Sequence, residues 1–174
     1  MKRSEAGFTL IELMIVLVII AMVFILGMPS YSAWIQNSRI RNAAESVHNG
    51  LQLARSEAVR RNAQVNFVQA ADSGWSFGCA AVTATCPAVI QSRLASEGSA
   101  GVVVAVGNAS VANTVAFNNF GASINAAGAI AINIDSATLN AAESRELRIV
   151  IETGGGTRMC DPNLDPAGSD PRRC

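Results

Sequence analysis

Histidine is nearly missing from this chain: His48 stands alone among 174 residues. With no serine or cysteine set out as an activated nucleophile, the usual parts of hydrolytic chemistry are absent and no enzymatic activity is expected. Glu143 and Glu146 flank a predicted strand and read as a solvated turn. No Cys-x-x-Cys spacing occurs, so the four cysteines and one histidine do not suggest a zinc site. Asp161, Asp165 and Asp170 lack EF-hand spacing and read as surface charge. Gly154-Gly155-Gly156 leads into no helix and lacks the Gly-x-Gly-x-x-Gly pattern, which argues against a phosphate loop. No cofactor and no metal are therefore expected. Basic and acidic residues number 13 each, so no global field attracts nucleic acid or an acidic substrate; such binding needs a local patch. Repeats and long linkers are missing too, and the length suits one membrane helix plus one domain.

What the chain does have is a long apolar run. From Phe8 to Met28 only the hydroxyl of Thr9 and the carboxylate of Glu12 interrupt it. A helix of about 20 residues rising 1.5 Å per residue just crosses a bilayer's hydrocarbon core, so residues 8–28 predict a membrane span. Ahead of it, residues 1–7 read Met1-Lys2-Arg3-Ser4-Glu5-Ala6-Gly7, a basic leader ending in glycine. A secretory signal would place its cleavage site after the apolar run. A cut between Gly7 and Phe8 instead keeps the run in the mature protein. Lys2 and Arg3 predict that the leader stays in the cytoplasm and the rest lies outside, where an even set of cysteines suits an oxidising compartment. An ionised acid near the centre of a span costs roughly 2.5–3.5 kcal/mol on insertion scales; Glu12, nearer the end, still wants a partner. The Phe8 ammonium of a neighbouring subunit would serve after cleavage; without one, Glu12 would snorkel to the headgroups or take up a proton.

Beyond the run, Gly27 and Pro29 interrupt the pattern, and Pro29 is expected to bend or break the helix. The pattern resumes over residues 29–62, where Ile40, Ala44, Val47, Leu51, Ala54 and Ala58 recur at intervals of four and three and predict an amphipathic continuation. If unbroken from Phe8, such a helix is roughly 80 Å long. Arg41 with Glu45 and Glu57 with Arg61 are spaced to pair on its wet side, and Arg55, Arg60 and Arg61 read as a solvated basic face in preference to a nucleic-acid contact.

From residue 63 to residue 174 the period is that of strands. Val65-Phe67-Gln69 alternation, the Asp72-Ser73-Gly74 turn and Trp75-Ser76-Phe77 predict a hairpin, followed by strands over 88–94, 101–106, 113–117, 129–135 and 146–152. One long helix followed by short strands with short turns is an α+β pattern, the antiparallel sheet covering the helix's apolar face. Residues 154–174 show no regular period. Four cysteines allow three connectivities, of which proximity favours Cys79–Cys86 and Cys160–Cys174, the second closing a C-terminal loop. That closure would gather Arg158, Arg172 and Arg173 as candidate phosphate contacts, although Asp161, Asp165 and Asp170 share the loop and can pair with them instead.

Gly7-Phe8-Thr9-Leu10-Ile11-Glu12 resembles the leader motif of type IV pilins and type II secretion pseudopilins, with the family's acid falling on Glu12 and its helix proline on Pro29. The stretch Leu53-Ala54-Arg55-Ser56-Glu57-Ala58-Val59-Arg60-Arg61-Asn62 is similar to one in the GspH/FimT branch of that family. The resemblance implies a pilin fold, cleavage between Gly7 and Phe8 by a prepilin peptidase, and N-methylation of Phe8. It implies docking of Glu12 on a neighbour's N-terminus, a helix that extends or melts at Pro29 as the subunit is drawn out of lipid, and an inner-membrane assembly platform as partner. The implied location is the inner membrane, single-pass, with the C-terminal domain in the periplasm and later in a pilus or pseudopilus. The expected function is that of a structural minor pilin supporting assembly of a type IV pilus; the alternatives are pseudopilin H of a type II secretion system and a DNA-binding minor pilin. For the last, Gly156-Thr157-Arg158 departs from the GRxR-type motif of FimT-like DNA-uptake pilins.

Overall fold

Helix α1 runs from Leu10 to Arg61 and is followed, among the described residues, by eight strands. The computed structural model describes residues 7–70, 72–109, 111–124 and 128–174, and of residues 26–29 the backbone alone. The leader residues Lys2 and Arg3 lie outside the described residues. The chain divides into an N-terminal unit, residues 1–35, and a second unit, residues 36–174, with α1 contributing to both.

Of the bend or break expected at Pro29, the break does not occur: helical backbone continues through Gly27 and Pro29. Proline removes one backbone donor out of the 52 residues of the helix, and the unbroken hydrogen bonding on either side tolerates that single loss. The helix does end where its chemistry says it should. Asn62 takes the left-handed conformation (φ 49°), the Ala63 amide donates to the Ala58 carbonyl at 3.1 Å and the Asn62 amide to Val59 at 3.2 Å, while Arg60 and Arg61 lie in the last turn beside the negative end of the dipole.

In the second unit the predicted stripe Ile40, Ala44, Val47, Leu51, Ala54 and Ala58 is completely buried, together with Ala43. The helix meets two four-stranded antiparallel sheets where a single sheet was expected. One has the order β3-β2-β1-β5, built from β1 (Val65–Gln69), β2 (Trp75–Cys79), β3 (Gln91–Arg93) and β5 (Thr114–Phe117). The other has the order β4-β6-β7-β8, built from β4 (Val102–Gly107), β6 (Ile130–Ser136), β7 (Leu147–Ile151) and β8 (Thr157–Cys160). The predicted hairpin is present as β1 and β2, paired Val65 to Cys79 through Gln69 to Trp75. Two expectations fail locally. The strand foreseen over 88–94 shortens to Gln91–Arg93, and the segment read as irregular contains β8, held by register with β7 from Arg148–Cys160 to Ile151–Thr157.

Alternation explains the core. Phe67 and Phe77 face inward with Trp75, whose ring stacks on Phe67 at 5.6 Å and on Phe77 at 6.0 Å, while its indole N–H donates to Ser46 Oγ of the helix at 2.9 Å. Gly50 is required here: a Cβ would stand 2.9 Å from the Phe67 ring and 3.0 Å from that of Trp75. Ile130, Ile132 and Ile134 of β6 and Ile149 and Ile151 of β7 fill the other half of the core, leaving no more than 1% of any of them exposed.

Candidate assembly site

Thr9-Leu10-Ile11-Glu12 starts the helix, and the structure shows how. Thr9 is the residue before the first helical position; its hydroxyl accepts from the Glu12 amide at 3.3 Å, and Glu12 Oε2 accepts from the Thr9 amide and the Thr9 hydroxyl, each at 2.9 Å. This is a reciprocal capping box, in which two amides that the helix cannot satisfy are satisfied by side chains. Oε2 of Glu12 is thus turned back onto Thr9. Thr9 was missed as a site residue by the sequence reading, although the Thr-x-x-Glu spacing ahead of an apolar run carries the signal. Behind this cap the large apolar side chains from Leu10 to Ile25 are 45–77% exposed, which no water-soluble helix face sustains over so many positions. The helix is long and apolar enough to cross a membrane.

At the other end of the chain, Cys79 pairs with Cys86 and Cys160 with Cys174, at Cα separations of 5.7 and 5.1 Å. The second disulfide closes the tail, and the three arginines named from the sequence are all brought to it. Each is engaged internally. Arg172 grips Asp170 through both carboxylate oxygens, at 2.7 and 3.1 Å. That side-chain pair, with help from the Arg172 amide, pulls the Asp170 carboxyl down to about 2. Arg173 donates to the carbonyls of Pro166, at 2.8 Å, and Gly168. Arg158 donates to the carbonyls of Arg173 and Cys174 at 3.3 and 3.4 Å. A neighbouring cavity of 360 Å³ mixes Arg41, Arg145 and Arg172 with Glu146 and Asp161, so it presents no field of one sign. Among the described residues no three His, Cys, Asp or Glu side chains converge as a metal site.

The basic stretch at the end of α1 is likewise used within the chain. Glu57 binds Arg60 at 2.6 Å and Arg61 at 2.7 Å, and the hydrogen bond from Arg60 lowers the Glu57 carboxyl below its ordinary value. Arg61 also donates to the Thr85 carbonyl. Arg55, although exposed, is engaged within the chain, its Nε donating to the Gly121 carbonyl at 2.9 Å and its Nη2 to Gly154 at 3.3 Å, which ties two distant turns to the helix.

The family model described as Type II transport protein GspH matches residues 43–155. The chain belongs to the GspH family. A second model, the prokaryotic N-terminal methylation motif, matches residues 2–28 and implies processing by a prepilin peptidase and assembly with other pilin-like subunits. The chain is thus a pilin or pseudopilin subunit, with a long apolar helix that suits a membrane anchor, from a family of structural subunits. Solved structures agree on the fold. The chain is similar to the type IV minor pilin FimU of Pseudomonas aeruginosa, with 16% identity and a TM-score of 0.57 over 78% of this chain and 98% of that one. It is also similar to the minor pseudopilin EpsH from the Type 2 Secretion System of Vibrio cholerae, with 14% identity and a TM-score of 0.52 over 72% of this chain and 99% of that one. No curated protein sequence matches significantly.

Proposed function

We propose that this GspH-family subunit is cut between Gly7 and Phe8, N-methylated on Phe8, and incorporated as a minor subunit into a type IV pilus whose assembly it supports. The observation that carries the reading is Glu12: a carboxylate in the first turn of a lipid-length apolar helix, with Oε2 occupied by Thr9, offers Oε1 to the ammonium that the cut creates on a neighbouring Phe8. In lipid no hydrophobic gain brings helices together, so packing and this charge pair select the neighbour. Before assembly the leader faces the cytoplasm and the folded unit lies in the periplasm, an orientation supported by Lys2, Arg3 and the two disulfides.

A second reading, pseudopilin H of a type II secretion machine, is favoured by the description of the matching family. The pilus assignment rests on the disulfide-closed tail, a pilin-like feature. DNA uptake is a weaker proposal, because all three tail arginines are held by a carboxylate or by carbonyls. Intact mass spectrometry of the protein from its native membrane tests the processing. The expected mass lacks residues 1–7, carries one methyl group, and rises by four protons on reduction; an uncut chain overturns the reading.

A further inference from the structure

The N-terminal unit does not end with the apolar run. Tyr31 and Trp34 follow it at a spacing of three on the same helix, their rings stacked with centroids 6.1 Å apart and planes 23° apart. Both are largely exposed, Tyr31 63% and Trp34 66%. Two aromatic side chains left in water at this exposure carry a cost that the fold of the unit does not relieve, so the pair is suited to another surrounding.

Position says which. No charged residue occurs between Glu12 and Arg39, so the polarity of the helix changes in steps: apolar to Met28, then Ser30, Tyr31, Ser32, Trp34, Gln36 and Asn37, and only then charge. The 19 residues from Leu10 to Met28 rise about 28 Å, close to the roughly 30 Å of a bilayer's hydrocarbon core. Tyr31 and Trp34 then have their Cα atoms about 4.5 and 9 Å further along. The headgroup layer adds roughly 5–7 Å on each side. Side chains on a helix lean toward its N-terminus, so both rings hang back from their Cα atoms toward that layer. An indole N–H and a phenol O–H on apolar rings suit the glycerol and carbonyl region, where one end of the group is wet and the other greasy.

We propose that the stacked Tyr31–Trp34 pair is an interfacial anchor that seats in the phospholipid headgroup and carbonyl layer on the far side of the span, fixing the depth of the helix before the subunit assembles. The proposal rests on the membrane-span reading and is continuous with it: the lipid-facing surface of Leu10 to Ile25 leads directly into the pair. The anchor sets how far the helix sinks, and therefore the depth at which Glu12 stands at the opposite face.

The test uses the full chain reconstituted into phosphatidylethanolamine and phosphatidylglycerol vesicles, plain or with bromine on the acyl chains near the glycerol end or near the methyl end. Flotation first establishes that the chain is membrane-bound. The emission of Trp34 is taken as the difference between the native chain and Trp34→Phe, since Trp75 is buried in the second unit. The expected result is quenching at least about twofold stronger by bromine near the glycerol end than near the methyl end, as an interfacial depth requires. Trp34 emission unaltered by either bromolipid in a chain that floats overturns the anchor while leaving the span intact, and so does stronger quenching near the methyl end. A chain that does not float overturns the span reading, and the anchor with it.

Discussion

Arg55 illustrates what a single residue does that its neighbours in sequence do not announce. Its guanidinium holds the carbonyls of Gly121 and Gly154, and at Gly155 a Cβ would meet the Gly121 oxygen at 1.9 Å, so the two turns are in direct contact and the arginine closes the set. Arg55→Ala leaves the Gly121 carbonyl without that donor. Hydrogen bonds from a charged donor contribute about 1.5–3 kcal/mol, but with one bond half-buried and the other exposed the expected loss is smaller, about 1 kcal/mol, read from denaturant unfolding of the chain in detergent. Arg55→Lys should recover only part of it, because one ammonium cannot reproduce a planar fork aimed at two carbonyls. From the sequence Arg55 reads as one member of a solvated basic face. Its acceptors are backbone oxygens 66 and 99 residues away, which carry no residue-type signal. Thr9 is the opposite case: its partner is three residues distant and the pattern can be read directly.

At the scale of elements, strand-forming composition located what carries it and missed what does not. β1, β2 and β4 to β7 fall within a few residues of their expected places, because apolar residues alternate with others in β1, β2 and β6, while β4, β5 and β7 are short runs rich in Val, Ile and Phe. β8 has no such pattern; Thr157-Arg158-Met159-Cys160 becomes a strand because β7 and the Cys160–Cys174 closure hold it in register. The tail itself is organised by charge, and this gives a prediction with a sign. Asp170 is held below its ordinary value of 3.8, down to about 2, first by the Arg172 side chain and then by the Arg172 amide. A depressed carboxyl favours the folded tail above its unfolded value, and that contribution fades as pH falls from 3.8 through about 2. Carbon-13 NMR titration of the carboxylates should therefore place the Asp170 midpoint near 2 in the native chain and raise it only part of the way toward the ordinary value in Arg172→Ala, which removes the guanidinium and keeps the amide. An unmoved midpoint would show that the Asp170–Arg172 pair does not persist in solution.

For the whole molecule, most of what the sequence reveals of function lies in its first 30 residues, where basic leader, glycine, apolar run, acid and proline occur in register, whereas the proposed choice of pilus over secretion machine rests on the disulfide-closed tail alone. The capping box sharpens the role of Glu12, because it gives the carboxylate two separable tasks. One is local: Oε2 accepts from Thr9 and starts the helix. The other is proposed between subunits: its charge neutralises a neighbour's Phe8 ammonium. Glu12→Ala removes both, so it is expected to leave membrane insertion and the folded unit intact while abolishing incorporation into the filament, but it cannot say which task matters. Glu12→Gln separates them. Glutamine serves in a capping box as glutamate does and carries no charge, so the cap survives and the ion pair does not. If charge selects the neighbour, Glu12→Gln fails to incorporate as fully as Glu12→Ala, and Thr9→Ala, which weakens the cap but keeps the charge, incorporates near the native level. Sheared-filament immunoblots of the three variants decide between the tasks. The reverse pattern, with Glu12→Gln incorporated and Thr9→Ala excluded, would assign Glu12 to helix initiation and remove the charge pair from the mechanism of assembly.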